Sequence, residues 1–230
     1  MKVRKIVKAA VLLAAATMLS GAAGSSTARS NWDSVVAKTD LGHRIGNPNA
    51  RTKLVEFISY TCPHCSEFTR QSEGPIKQSY LAPGKINLEV RHMVRDPVDL
   101  TVGLLVNCGE TAKFPGNHSA FLAGQPQWIE PLGKSTQAQR QRWTTEGAAG
   151  RHAIASDFGF YAIMERRGYR RADVDRCLAD DALARRLAEI STKEWARPGI
   201  SGTPSFAING VVMPGTHSWA ALERQLKEFL

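Results

Sequence analysis

Cysteine is scarce in this chain. Only Cys62, Cys65, Cys108 and Cys177 occur among 230 residues, and only the first two stand close together. A zinc site made of two ligand pairs therefore lacks its second pair, because Cys108 and Cys177 are each alone. Histidine does not fill the gap: His43, His92, His118, His152 and His217 sit in no ligand spacing and receive no role. No metal is expected. Long apolar runs are missing too. The one at the start, Ala9 to Leu19, covers about eleven residues, well short of the roughly 20 that a membrane-spanning helix needs. No internal repeat and no low-complexity tract is found. Nor are there aromatic–basic repeats of the kind that grip single-stranded nucleic acid. The formal charge is +9, but the densest basic group, Arg166, Arg167, Arg170, Arg171 and Arg176, is interleaved with acids. It reads as a solvated helix face, and no nucleic-acid partner is expected.

What is present begins at the N-terminus. Lys2, Arg4, Lys5 and Lys8 precede the apolar run, and Ser20-Gly21-Ala22-Ala23-Gly24-Ser25 follows it. A basic start, an apolar middle and a small-residue end predict a secretory signal peptide over residues 1–24. An uncleaved anchor is the rival reading, opposed by the shortness of the run. No Cys follows that run to take a lipid. Residues 1–24 hold four basic groups and no acid, so without them the charge falls from +9 to +5. The expected localisation is periplasmic or otherwise secreted, as a soluble protein in an oxidising compartment where disulfides persist. A length of 230 residues with 43% hydrophobic content suits one good core, not two large independent domains.

Along the chain, residues 25–40 predict a flexible start and a short helix around Trp32, Val35 and Val36. Leu41 to Ile45 predicts a short strand closed by the turn Asn47-Pro48-Asn49. Lys53 to Tyr60 is apolar on both faces and rich in β-branched and aromatic residues, as buried central strands are. Cys62 to Leu81 reads as helix, with Gly74-Pro75 forcing a break or kink. Lys85 to Val94 alternates as a second strand. From Pro97 to about Trp195 the period is helical. Its last stripe is Leu183, Leu187 and Ile190, on a helix that Asp180 can cap. Ser205–Ile208 and Val211–Met213, joined by Asn209-Gly210, predict a hairpin. A final amphipathic helix spans about Ser218 to Leu230.

Within this order, Cys62-Pro63-His64-Cys65 follows a strand and opens a helix. A helix N-terminus presents unpaired N–H groups and a partial positive charge, which favour a thiolate at Cys62. Pro63 suits the first helical position, where its missing N–H costs nothing. His64 offers a further donor or positive charge beside the sulfur. A stabilised thiolate is a good leaving group, so the pair predicts thiol–disulfide chemistry with oxidising character. Half of a zinc site is the alternative. Four cysteines allow three pairings, and once the near neighbours pair, Cys108 and Cys177 are left for each other. Two buried free thiols are the rival for those positions.

Glu56-Phe57-Ile58-Ser59-Tyr60-Thr61-Cys62-Pro63-His64-Cys65, together with Gly202-Thr203-Pro204-Ser205-Phe206, resembles the DsbA-type thiol:disulfide oxidoreductases. The resemblance covers about residues 46–229. It implies an α/β class fold, thioredoxin-like with an inserted all-helical domain. The implied parts are an N-terminal segment at 25–45, thioredoxin-like pieces at 46–96 and 200–230, and a helical insertion at 97–199. It also implies roles. Cys62 is the nucleophile that links to substrate, and Cys65 is its buried partner. Glu56 is a buried acid beneath the disulfide that relays a proton. Pro204 is a cis-proline facing the pair, with Thr203 presenting backbone groups to a substrate strand. Thr203 departs from the Val of the best-known oxidases and is also found in disulfide isomerases. No cofactor beyond the Cys62–Cys65 disulfide is implied. The implied partners are reduced, unfolded or partly folded exported proteins and a membrane quinone-linked reoxidase, with the chain acting as a monomer. The leading expectation is an exported oxidase. An isomerase or reductase on the same fold is the near alternative. A peptide-binding chaperone or zinc module without turnover is the distant one.

Overall fold

The computed structural model describes residues 31–230, so the leader expected over residues 1–24 lies outside the described residues. The sheet starts with β1 (Val36–Lys38) and β2 (Gly42–Gly46), antiparallel neighbours at one edge. The helix expected around Trp32, Val35 and Val36 is not formed. Only Trp32–Ser34 turn, as one short 3-10 segment, and Val36 already pairs with Ile45. A three-residue apolar pattern cannot nucleate a helix against the hydrogen bonds of a sheet edge, and adjacent β-branched residues favour extension.

β3 (Thr52–Ile58) is the centre of the sheet. It lies between β4 (Ile86–His92), to which it is parallel, and β5 (Ser205–Ile208), to which it is antiparallel. With β6 (Val211–Val212) the order is β1-β2-β4-β3-β5-β6. Only Lys53 of β3 is exposed, which is why this strand reads as a continuous run. Between β3 and β4 runs α1 (Pro63–Pro75), followed by a π-helical stretch, Ile76–Leu81. The break expected at Gly74-Pro75 takes the form of a change in helix type. The chain keeps turning, and the Ala82 N–H reaches back five residues to the Lys77 carbonyl at 2.9 Å.

Between β4 and β5 the described chain is helical: α2 (Pro97–Val106), α3 (Phe114–Leu122), α4 (Gln125–Trp128), α5 (Glu130–Lys134), α6 (Gln137–Trp143), α7 (Ala148–Asp157), α8 (Phe160–Arg166), α9 (Arg171–Leu178) and α10 (Asp181–Trp195). Side-chain caps start α2 and α10. The Asp96 carboxylate accepts the Asp99 N–H at 2.8 Å before α2, with Pro97 at the first turn. Asp180 accepts the Leu183 N–H at 2.8 Å before α10. Each such cap contributes about 1 kcal/mol. The centre of the block is aromatic, with Phe160 edge-on to Trp128 at 5.1 Å and to Phe121 at 5.3 Å. The β5–β6 hairpin turns on Asn209 and Gly210 at φ 50° and 87°. This pair of positive angles belongs to a type I′ turn and suits Asn-Gly. α11 (Trp219–Glu228) then buries Leu222 and Leu226 against the core.

A bridge staples the helical block. Cys108, just beyond α2, is joined to Cys177 of α9 across a separation of 69 residues. Closing a loop of that length restricts the unfolded chain by roughly 4 kcal/mol on the chain-entropy model. Replacing Cys108 and Cys177 together with Ser is expected to lower the unfolding free energy by up to about that amount. Denaturant titration measures it, and an unchanged midpoint would show that the bridge adds no stability.

Candidate active site

The four residues Ser59–Cys62 carry the chain from β3 into α1. Cys62 is extended, at φ −86° and ψ 118°, and stands as the N-cap of α1 with Pro63 directly after it. Its amide donates to the Ser59 carbonyl at 3.2 Å, and its carbonyl accepts the Ser66 N–H at 3.3 Å. Both cysteines are free thiols. Cys65 lies one turn on and is fully buried. The two thiols are strongly unequal. A hydrogen bond from Cys65 is the main influence that lowers the Cys62 thiol, against the opposing effect of burial. Thr203 and the backbone N–H groups of Cys65 and His64 lower it further, to about 5. Burial, followed by the neighbouring Cys62, pushes Cys65 well above the usual thiol range. The His64 ring is exposed and has no hydrogen-bond partner among the described residues. Its contribution comes through the backbone.

The register of the sheet brings a distant segment to the same place. Phe57 of β3 pairs with Ser205 of β5, so Thr203-Pro204 arrives at the end of the sheet from which Cys62 emerges. The Thr203–Pro204 peptide is cis. The Cys62 Sγ–H donates to the Thr203 carbonyl at 3.1 Å. Two further hydrogen bonds hold this loop. Ser205 Oγ donates to the Gly202 carbonyl at 2.7 Å, and His217 Nδ1 donates to the Pro204 carbonyl at 2.7 Å.

Glu56 sits in the middle of β3, between Val90 of β4 and Phe206 of β5. It is buried, and its Oε1 has no hydrogen-bond partner. Desolvation alone raises its carboxyl to about 8, because an unpaired buried carboxylate is costly. Glu56 lines a cavity of about 400 Å³ with Thr69 and Ser72 of α1 and His118 of α3.

Several groups near the pair went unassigned in the sequence. His43 of β2 stacks on Phe114 at 3.8 Å, and His118 Nδ1 shares a hydrogen bond with the Tyr60 hydroxyl at 3.0 Å. Burial, aided by nearby basic groups, lowers His43 to about 4 and His118 to about 3, so both are neutral at pH 7. Asp99 and Gln125 reach the Ser59–Cys62 backbone from α2 and α4. No short-range signal marks any of these, because each meets the site through packing of separate elements. The Asp-Pro start of α2 is the one local cue, and it marks a cap rather than a neighbour of the cysteines. Among the described residues no group of three or more His, Cys, Asp or Glu side chains is gathered for a metal ion. Among them, too, no helix is long and apolar enough to cross a membrane.

Residues 38–228 match the Thioredoxin family model, and the chain belongs to that family. It is 49% identical to a structure described as a protein-disulfide isomerase from Novosphingobium aromaticivorans. That match covers 80% of this chain and 95% of the other, with a TM-score of 0.77. The fold is also that of Wolbachia pipientis alpha-DsbA1, at 19% identity and a TM-score of 0.64 over 81% of this chain and 89% of that one. A curated relative from Rickettsia bellii, provisionally named a protein-disulfide oxidoreductase, is 27% identical over 168 residues. That stretch is 73% of this chain and 56% of the relative, so the chain spans about half the length of the curated relatives it matches. The expected thioredoxin-like architecture of DsbA type, with a helical region within it, is the one observed.

Glu56 sets a dependence of stability on pH. With its folded value near 8, above the ordinary carboxyl value, its contribution to folding is intact below about pH 4.5 and lost as the pH rises toward 8. Glu56→Gln is therefore expected to gain stability over the parent across that window, by a few kcal/mol at the upper end. Denaturant unfolding of both proteins at pH 5 and pH 8 measures it, and a difference independent of pH would refute the assignment.

Proposed function

We propose that the chain is an exported protein thiol:disulfide oxidoreductase that introduces disulfides into other proteins through Cys62 and Cys65. The observation that carries this reading is the inequality of the two thiols at the start of α1. Both are buried, but one is held low at a helix N-terminus beside Thr203-Pro204, and the other is held high by desolvation. An enzyme that donates a disulfide needs this division, with a good leaving group facing substrate and a poor one behind it.

In the oxidised form a substrate thiolate attacks Cys62 Sγ, and the Cys62–Cys65 bond breaks with its electron pair leaving on Cys65. The new bond is a mixed disulfide between substrate and Cys62. Cys65, favouring its thiol form, takes up a proton. Glu56 holds one below about pH 8, and the relay role proposed for it would supply that proton. A second substrate thiolate then attacks the substrate sulfur, and Cys62 departs as its stabilised thiolate. Two electrons have moved from two substrate thiols to the Cys62–Cys65 pair. The Thr203 backbone beside the sulfur would bind the substrate chain as an added strand, with Pro63, His64 and Pro204 shaping the contact. In this reading residues 46–96 and 200–230 form the redox half and 97–199 the insertion. The substrates are reduced exported proteins in the periplasm. A membrane quinone-linked partner reoxidises the monomer.

A second reading has a specific observation behind it. Thr203 precedes the cis-proline, and the relative at 49% identity is described as a protein-disulfide isomerase. The two readings differ in poise. Strong oxidases and thioredoxin-like reductases lie roughly 150 mV apart, or about 7 kcal/mol for two electrons, with isomerases between them. The oxidase reading expects Cys62 to titrate near 5, rapid oxidation of a reduced protein by the oxidised enzyme, and loss of both in Cys62→Ser. A Cys62 value near 8 would overturn it. Unscrambling of a misbridged substrate without added oxidant, at an intermediate potential, would transfer the chain to the isomerase class.

A further inference from the structure

The peptide that leads into the cysteine pair is gripped from two sides by residues that take no part in the exchange. On one side stands Asp99 of α2, with no exposed surface. Its Oδ1 accepts the Tyr60 N–H at 2.9 Å and the His92 Nε2–H at 2.7 Å. Its Oδ2 accepts the Ser59 hydroxyl at 2.6 Å and the Arg95 N–H at 3.0 Å. On the other side Gln125 of α4 is buried, and its Nε2 donates to the Tyr60 carbonyl at 2.6 Å and to the Cys62 carbonyl at 3.0 Å. Tyr60 is thus held at its N–H by one helix and at its C=O by another. Ser59, locked by Asp99, is tied to the pair: its carbonyl accepts the Cys62 N–H at 3.2 Å, and its backbone N–H partly offsets the rise of the Cys65 thiol.

We propose that Asp99 and Gln125 are positioning residues that set the redox poise of the Cys62–Cys65 pair by fixing the Ser59–Cys62 backbone from the helical block. The inference rests on the reading of Cys62 as the exchanging thiol. A carboxylate bound by four donors is satisfied, so its charge is directed into holding the loop and is largely neutralised there. The Gln125 amide withdraws electron density from the Cys62 carbonyl, beside the sulfur that must carry negative charge. It also leaves two buried carbonyls paired that would otherwise be costly. Loss of either grip loosens the N–H groups that favour the thiolate, so both losses act in the same direction. A bare negative charge at Asp99 would act in the opposite direction. Removing such a charge would make the Cys62 thiolate easier to form, and removing Gln125 would leave it unchanged.

The test uses the full chain with Asp99→Asn, Gln125→Ala and Ser59→Ala. Each variant is measured by Cys62 thiolate titration and by equilibration with reduced and oxidised glutathione. For Asp99→Asn and Gln125→Ala the Cys62 titration is expected to rise by about one pH unit. Their equilibrium constants for oxidising glutathione should fall about tenfold, or about 30 mV for two electrons. Ser59→Ala, which removes one of the four donors, is expected to fall between parent and Asp99→Asn. Variants that lose denaturant stability but keep the parent titration and equilibrium would overturn the proposal. So would a fall of the titration in Asp99→Asn with none in Gln125→Ala. If Asp99→Asn fails to fold, Gln125→Ala and Ser59→Ala carry the test unaided. A parent Cys62 that titrates near 8 would sink the proposed function instead, which separates the two failures.

Discussion

A thiolate at Cys62 has to be held by dipoles, and this constraint organises the rest of the molecule. No lysine, arginine or charged histidine is among the groups that lower the Cys62 thiol. The groups that do so are the Cys65 thiol, Thr203 and the backbone N–H groups of His64 and Cys65. Neutral donors work only when aimed, and they weaken steeply with angle. The thiolate therefore depends on an α1 whose first turn is rigid, on a β5 whose register delivers Thr203, and on a loop at Ser59–Cys62 that cannot drift. Packing secures the first of these. Phe68 of α1 lies against Phe206 at 4.7 Å and against Trp219 at 6.4 Å, tying the helix to β5 and α11.

The same arrangement places costs elsewhere in the fold. Glu56 occupies the central strand with an unpaired oxygen, where an apolar residue would be more stable. Such local conflict with an otherwise consistent core is what the relay role proposed for Glu56 would require. The neutral His43 and His118 deepen this pattern. His118 hydrogen-bonds Tyr60 and His43 stacks on Phe114, both as rings that carry no charge at pH 7, so this part of the core holds two uncharged imidazoles. The helical block closes that region from the side, through Asp99, Gln125 and the aromatic cluster centred on Phe160.

Some of this was legible residue by residue. The run Leu54–Tyr60, the helix-opening Cys62-Pro63, the Asn209-Gly210 turn and the Asp180 cap each rest on interactions within a few positions, and each formed where expected. The helix expected near Val35-Val36 failed because a partner strand five to nine residues on competes for the same backbone groups. His43, His92, His118 and His217 carried no pattern, yet His92 and His118 pack edge-on against Tyr60, His43 stacks on Phe114 and His217 supports Pro204.

The sequence by itself determined the alternation of strand and helical regions and the placing of the Cys62–Cys65 pair at the start of a helix, because these follow from local spacing and periodicity, and its resemblance to a known family implied the thioredoxin-like class. Only the tertiary structure decided that Glu56 is buried without a partner, that Thr203 meets the Cys62 sulfur, and that Asp99 and Gln125 hold the Tyr60 peptide between them. The last two are meetings of segments 39 to 141 residues apart. Their physical cause is the register of a sheet and the packing of helices on it, which no window of sequence contains.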